Sequence, residues 1–204
     1  MLNIQEIAMY VVAFLIAVTV HEYAHARAAV SAGDETPKLN GRVSLNPIDH
    51  LDPVGTLMFV FTLLYGFGIA WGKPVPVNPY NFRSPRWDQL KVSMWGPLSN
   101  IIVAFVLSMV YRFNLVPVSG AFHKLFFILI LFNLRIAFFN LIPVPPLDGS
   151  HILSSLLPIN QARTYDLLVA RYGMLLLILL IFTGIAGMII NVPTNLFVRL
   201  FLGT

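Results

Sequence analysis

Long apolar runs separated by short polar stretches dominate this chain, and their lengths set the first expectations. Ile7 to Val20 is uncharged and mostly apolar, and helical patterning continues through Tyr23, Ala24, Ala26, Ala28, Ala29 and Val30 to Gly33. Pro53 to Gly72 and Val92 to Tyr111 are each free of charge for 20 residues, and Tyr172 to Val198 for 27. Leu125 to Leu147 holds one charge, Arg135, in a helix expected from about His123 to Leu141. A membrane-spanning helix needs about 20 mostly apolar residues. The pattern therefore predicts an all-α polytopic membrane protein with four to five membrane-embedded helices, the last an extra C-terminal helix at about 172–190.

Two polar connectors interrupt the runs. Residues 34–52 alternate around Arg42, Val43, Ser44 and Leu45 between Gly and Pro, which predicts a short strand or hairpin. Residues 72–90 carry Pro74, Pro76, Pro79 and Pro85, which predicts an extended loop. Neither connector is large enough to be a domain. The expectation is a single unit over 1–204 with its core at about 7–155.

Composition agrees: 57% of residues are hydrophobic and 11% charged, too few charges to cover a soluble globule. The net charge is +4, yet no basic cluster exceeds two residues, so the balance reads as membrane topology and not nucleic-acid binding. The first apolar run lacks a basic start and a cleavage-type ending, which predicts a retained helix and not a signal peptide. With no cysteine, histidine and carboxylate are the strong metal ligands left.

Candidate chemistry lies in that first helix, as His21-Glu22-Tyr23-Ala24-His25. Residues i and i+4 share a helix face, so both imidazoles can reach one ion, with Glu22 beside them near a metal-bound water. Three ionisable groups in an apolar segment are costly unless paired or metallated. A catalytic zinc takes three protein ligands and keeps a fourth position open. The third is not in the local spacing, because Ala26, Arg27 and Ala28 follow His25 and the only later glutamate is Glu35. Asp34, Asp49, Asp52, Asp88, Asp148 and Asp166 remain. Asp148 closes a proline-rich stretch at the end of a predicted span, where irregular backbone lines cavities.

HEYAH in the first helix, Gly96-Pro97-Leu98-Ser99-Asn100 taken as a helix start, and NLIPVPPLDG at 140–149 together resemble the site-2 protease family of intramembrane zinc metalloproteases. The resemblance runs from residue 21 to about 155. It implies one zinc ion per chain held by His21, His25 and Asp148, with Glu22 as general base and Asn140 as a helper near the scissile peptide. It implies a transmembrane protein substrate in the bilayer. Accessory domains of some relatives are absent from the pattern. A non-proteolytic membrane metal-binding or metal-transport protein is the alternative, and it predicts further ligand-type residues along the other helices, which offer almost none.

Topology tests the ligand set. His21, His25 and Asp148 must lie at one depth, and each follows or ends a helix, so the first helix and the 123–141 helix must run the same way. That requires 53–72, with Gly55, Gly66, Gly68 and Gly72, to be re-entrant. Arg27, Lys38, Arg42, Lys73, Arg83, Arg86, Lys91, Arg163 and Arg171 then share the side of the site, against Arg112, Lys124 and Arg199. The positive-inside rule places the site toward the cytoplasm. His50, between Asp49 and Asp52, is expected as a surface histidine.

Overall fold

The computed structural model describes residues 3–65, 68, 70–115 and 120–203. They form eight α-helices, and no strand is present among the described residues. Five helices are long and apolar enough to cross a membrane: α1 (Ile4–Ala32), α4 (Pro85–Arg112), α5 (Ala121–Asn140), α7 (Ile159–Phe182) and α8 (Ile185–Leu202). The protein is an all-α, multi-pass membrane protein. The shorter elements are α2 (Thr36–Leu39), α3 (Pro53–Tyr65) and α6 (Asp148–Leu156).

Local sequence sets the ends of α1. Asn3 and Glu6 form a reciprocal capping box at its start. Gly33 ends it in the left-handed region, at φ 110°, where a side chain would be strained. Asp34 follows with no exposed surface and gathers four donors: the Thr36 N–H and hydroxyl, the Asn78 N–H and the Asn81 amide. The polar loops are thus fastened to the end of α1.

The predicted hairpin at 34–52 is replaced by α2, an irregular stretch, and a 3₁₀ turn at Pro47–His50 capped by Asn46. Proline at the starts of both turns favours helix-type φ and supplies no ladder N–H, which explains the outcome. Of the extended loop expected over 72–90, only part lies outside helices: residues 73–78 carry no regular structure, Pro79–Asn81 form a 3₁₀ turn, and α4 already begins at Pro85, where proline suits a first helical turn.

The 53–72 stretch returns to where it began. Leu51 and Gly72 form an antiparallel bridge, and the Lys73 N–H donates to the His50 carbonyl at 2.8 Å. α3 itself has 13 residues, or about 20 Å, too short to span the hydrocarbon layer. Gly55 allows the return: a Cβ there would lie 3.0 Å from the Trp71 carbonyl carbon. Phe59 stacks on Phe14 with centroids 4.2 Å apart, holding α3 against α1. Gly66 of the predicted glycine series lies outside the described residues.

Two boundaries differ from expectation. Pro97 does not open a helix; it sits inside α4, which begins at Pro85, the position proline favours. The uncharged 27-residue stretch, and the helix expected at 172–190, are divided between α7 and α8. Thr183 caps α7 and Gly184 turns the chain at φ 77°. Residues Phe197 and Phe201 of α8 then pack on Phe138 and Phe105, so α8 closes the wall of the bundle.

Candidate metal centre

α1 and α5 run the same way and both end beside the loops, as the ligand set requires. The chain leaves α5 through Pro143, Pro145 and Pro146, and α6 starts at Asp148. Gly149 makes that turn possible, since a Cβ there would lie 2.5 Å from the Ile142 carbonyl oxygen. The three sequence-predicted ligands converge: His21 Nε2 lies 3.1 Å and His25 Nε2 3.2 Å from Asp148 Oδ2, and the two nitrogens are 3.1 Å apart. They form the only group of three or more His, Cys, Asp or Glu with metal-site spacing among the described residues.

Hydrogen bonds around the pair fix which ring nitrogen is free. His25 Nδ1 lies 2.8 Å from the Val92 carbonyl, an acceptor only, so Nδ1 carries the proton. Asn133 donates its amide to the Leu129 carbonyl and so offers its oxygen to Asn100 at 2.9 Å. Asn100 also donates to the Ala17 carbonyl, which turns its oxygen to His21 Nδ1 at 2.7 Å. Nδ1–H is therefore the tautomer assigned at both rings. Both Nε2 lone pairs and a carboxylate oxygen then face one point, three acceptors without a donor, which calls for a cation.

The spacing suits zinc. Nitrogen and oxygen ligands at about 2.0–2.1 Å in a tetrahedron stand about 3.3 Å from one another. The observed separations of 3.1, 3.1 and 3.2 Å describe nearly that face. Gly96 of α4 completes the cradle: a Cβ there would overlap His25 Nε2 and sit 2.8 Å from His21 Cε1.

Glu22 stays outside the ligand triad. Its Oε2 accepts the Val75 N–H at 3.2 Å, and Gly72 lies against its carboxylate and Val18. The loop behind it is held by Arg42, which is buried and donates to the Pro74 carbonyl at 3.1 Å and to the Lys73 carbonyl. Burial lowers the Arg42 pKa from its ordinary value, against the pull of Glu22 and Asp49. His50 is not the expected surface residue. It is fully buried, with Nε2 donating to the Ser44 carbonyl at 2.7 Å and Nδ1 facing Arg42, so it braces the loop and takes no part in the metal cluster.

Asn140 is not brought to the ligands by a contact: its amide donates to the Ile136 carbonyl of its own helix. Asn100 and Asn133 hold the place beside His21 instead. The sequence signal for them is an amide inside a membrane helix, where a partner across helices is expected.

Known zinc metalloproteases are similar in sequence to this chain. Residues 114–183 match Peptidase family M50. YwhC of Bacillus subtilis is 40% identical over 172 residues, covering 78% of this chain and 76% of its own length. Rip2 of Mycobacterium tuberculosis is 28% identical over 69% of this chain and 54% of its own length. MJ0392 of Methanocaldococcus jannaschii is 32% identical over 57% of this chain and 34% of its own. All three have "zinc metalloprotease" in their names. No solved structure matches this chain significantly. With its ligand cradle and its extended likeness to YwhC, the chain belongs to peptidase family M50, the site-2 protease family.

Proposed function

We propose that this protein is an intramembrane zinc endopeptidase that hydrolyses a peptide bond within or beside a transmembrane segment of a membrane-protein substrate. His21, His25 and Asp148 hold one zinc ion per chain. The observation that carries the reading is the convergence of three lone pairs on one point at zinc-like spacing. Bound there, zinc supplies a Lewis acid that polarises the scissile carbonyl and makes water acidic enough to attack near neutral pH.

Glu22 is the general base: its carboxylate takes a proton from the attacking water and returns it to the leaving amine. The Val75 N–H holds that carboxylate by one oxygen and leaves the other available. Asn140 is a helper near the scissile peptide, reached by turning its amide away from Ile136. A helical substrate hides its backbone, so it must unwind before cleavage. Residues 73–78 lie outside any helix, and Val77 has neither its N–H nor its carbonyl bonded among the described residues, which favours capture of the unwound segment by strand addition. Nine basic residues on the site's side against three on the other favour a site toward the cytoplasm.

The test is cleavage of a transmembrane substrate by purified protein, with metal quantified in parallel. Glu22→Gln should lose cleavage and keep its zinc; Asp148→Asn should lose cleavage and weaken zinc binding. Cleavage persisting in Glu22→Gln would sink the mechanism.

A further inference from the structure

Beside the histidine-bearing face, α1 and α4 leave a groove of about 660 Å³. None of His21, His25 or Asp148 lines it. Its polarity is graded along its length. At the end where α1 passes into Gly33 and α4 begins at Pro85, the walls carry Arg27, Lys91 and Asp88; deeper, they carry Ile102 and Val103. Small side chains at Ala24 and Ala28 keep the slot open between them.

The charges at the mouth do not cancel. Asp88 is buried and already engaged, accepting from Lys91 Nζ at 3.2 Å and from the Ser84 N–H at 2.8 Å. Arg27 is exposed, and while its carbonyl accepts from the Ser31 hydroxyl, its guanidinium has no hydrogen bond or ion pair among the described residues. An uncompensated cation therefore stands over an apolar slot at the level where the helices meet their polar loops. Trp95, 45% exposed, lies between the two zones, as amphipathic rings do at the membrane interface.

We propose that this groove binds one anionic phospholipid, with the headgroup phosphate on Arg27 and Lys91 and an acyl chain along Ile102 and Val103. An apolar slot alone would accept any lipid, so the cations select the anionic one. The groove is walled by the two helices that also carry His21, His25 and Gly96, and a lipid seated there bridges them at their loop end.

Native mass spectrometry of the full chain tests this, using equimolar dioleoylphosphatidylglycerol and dioleoylphosphatidylcholine in detergent. The wild type should retain one phosphatidylglycerol per chain in preference to phosphatidylcholine. Losing one basic contact to a headgroup changes binding by about fivefold, so Arg27→Gln should reduce the preference by that factor and Arg27→Lys should keep it. Arg27 makes no contact that folding needs, and an unchanged melting temperature in Arg27→Gln checks this. Added inorganic phosphate should leave the bound lipid in place. Equal retention of the two lipids, an undiminished preference in Arg27→Gln, displacement by phosphate, or dimer formation through a cysteine placed at Ser31 would each overturn the proposal.

Discussion

Asn100 governs the candidate centre without touching the metal position. Its two N–H groups are committed to Ala17 and Asn133, so only its oxygen can face His21, and that forces the ring to present Nε2. Removing such a support costs about 10- to 100-fold in metal affinity. Asn100→Ala should therefore weaken zinc by that factor in chelator competition; unchanged affinity would mean that His21 orients itself. Gly96→Ala gives a sharper contrast. In an ordinary helix interior the change stabilises by about 1 kcal/mol, but here the new methyl would occupy the space of the His25 ring edge. The variant should lose zinc while remaining helical by circular dichroism. Asp34 gives a prediction in pH. Burial pushes its carboxyl up, but the Thr36 hydroxyl, the Asn78 N–H, the Asn81 amide and the Thr36 N–H outweigh this and hold it below its ordinary value. Its contribution to stability is present above about pH 4 and is lost as the pH falls through the lower folded value. Asp34→Asn should flatten that acid limb of the melting-temperature profile. The histidine pair was legible because its spacing is local. The Asn100 contact spans 79 positions, so the sequence showed a polar residue in a span but not its partner. His50 was misread for a related reason: its neighbours in sequence are polar, but its burial comes from the fold of the loop around Arg42 and Ser44.

At the scale of elements, α6 is the lever that places the third ligand. Asp148 is its first residue, and its other end is gripped by Arg86 of α4, whose Nε donates to the Ser155 carbonyl at 2.7 Å and whose Nη2 donates to Leu157. A nine-residue helix held only at one end can pivot. Arg86→Ala should lower zinc affinity about tenfold, although Arg86 lies a helix length from the ligands. Arg86→Lys, which keeps the charge but loses the fork, should recover only part of it. An Arg86→Ala protein with wild-type affinity would show that the Gly149 crossing alone fixes Asp148. The sequence marked the proline-rich stretch and the LDG turn but could not show the Arg86 grip, since a basic residue in a loop has many possible partners. The re-entrant course of 53–72 was inferred from parity, because a charge-free run says that a segment is apolar without saying whether it crosses. The division at Gly184 was missed because an uncharged run hides its own break, and only the left-handed turn there reveals it.

Sidedness belongs to the whole molecule, and the fold constrains it more tightly than charge counting alone. Leu51 and Gly72 meet, so the loops before and after α3 lie on one side. α4 then leaves that side and α5 returns to it. At the far end, Gly203 lies against the Arg112 guanidinium, 2.9 Å from Cζ for an added Cβ, and donates its N–H to the Arg199 carbonyl. Arg112 and Arg199, two of the three basic residues assigned to the opposite side, therefore lie at the same end of the bundle, even though the final stretch is two helices and not one. This makes the orientation testable with point labels. The chain has no cysteine, so single substitutions can be read without background. Tyr80, 96% exposed, lies in the loops beside the site, and Leu115, 67% exposed, follows the far end of α4. In intact cells a membrane-impermeant maleimide should label Leu115→Cys and spare Tyr80→Cys, and opening the cells should make both reactive. The reverse pattern would place the site outward. Equal labelling of both in intact cells would mean that α4 does not cross, and the shared depth of His21, His25 and Asp148 would then need a different explanation from the parity of the helices.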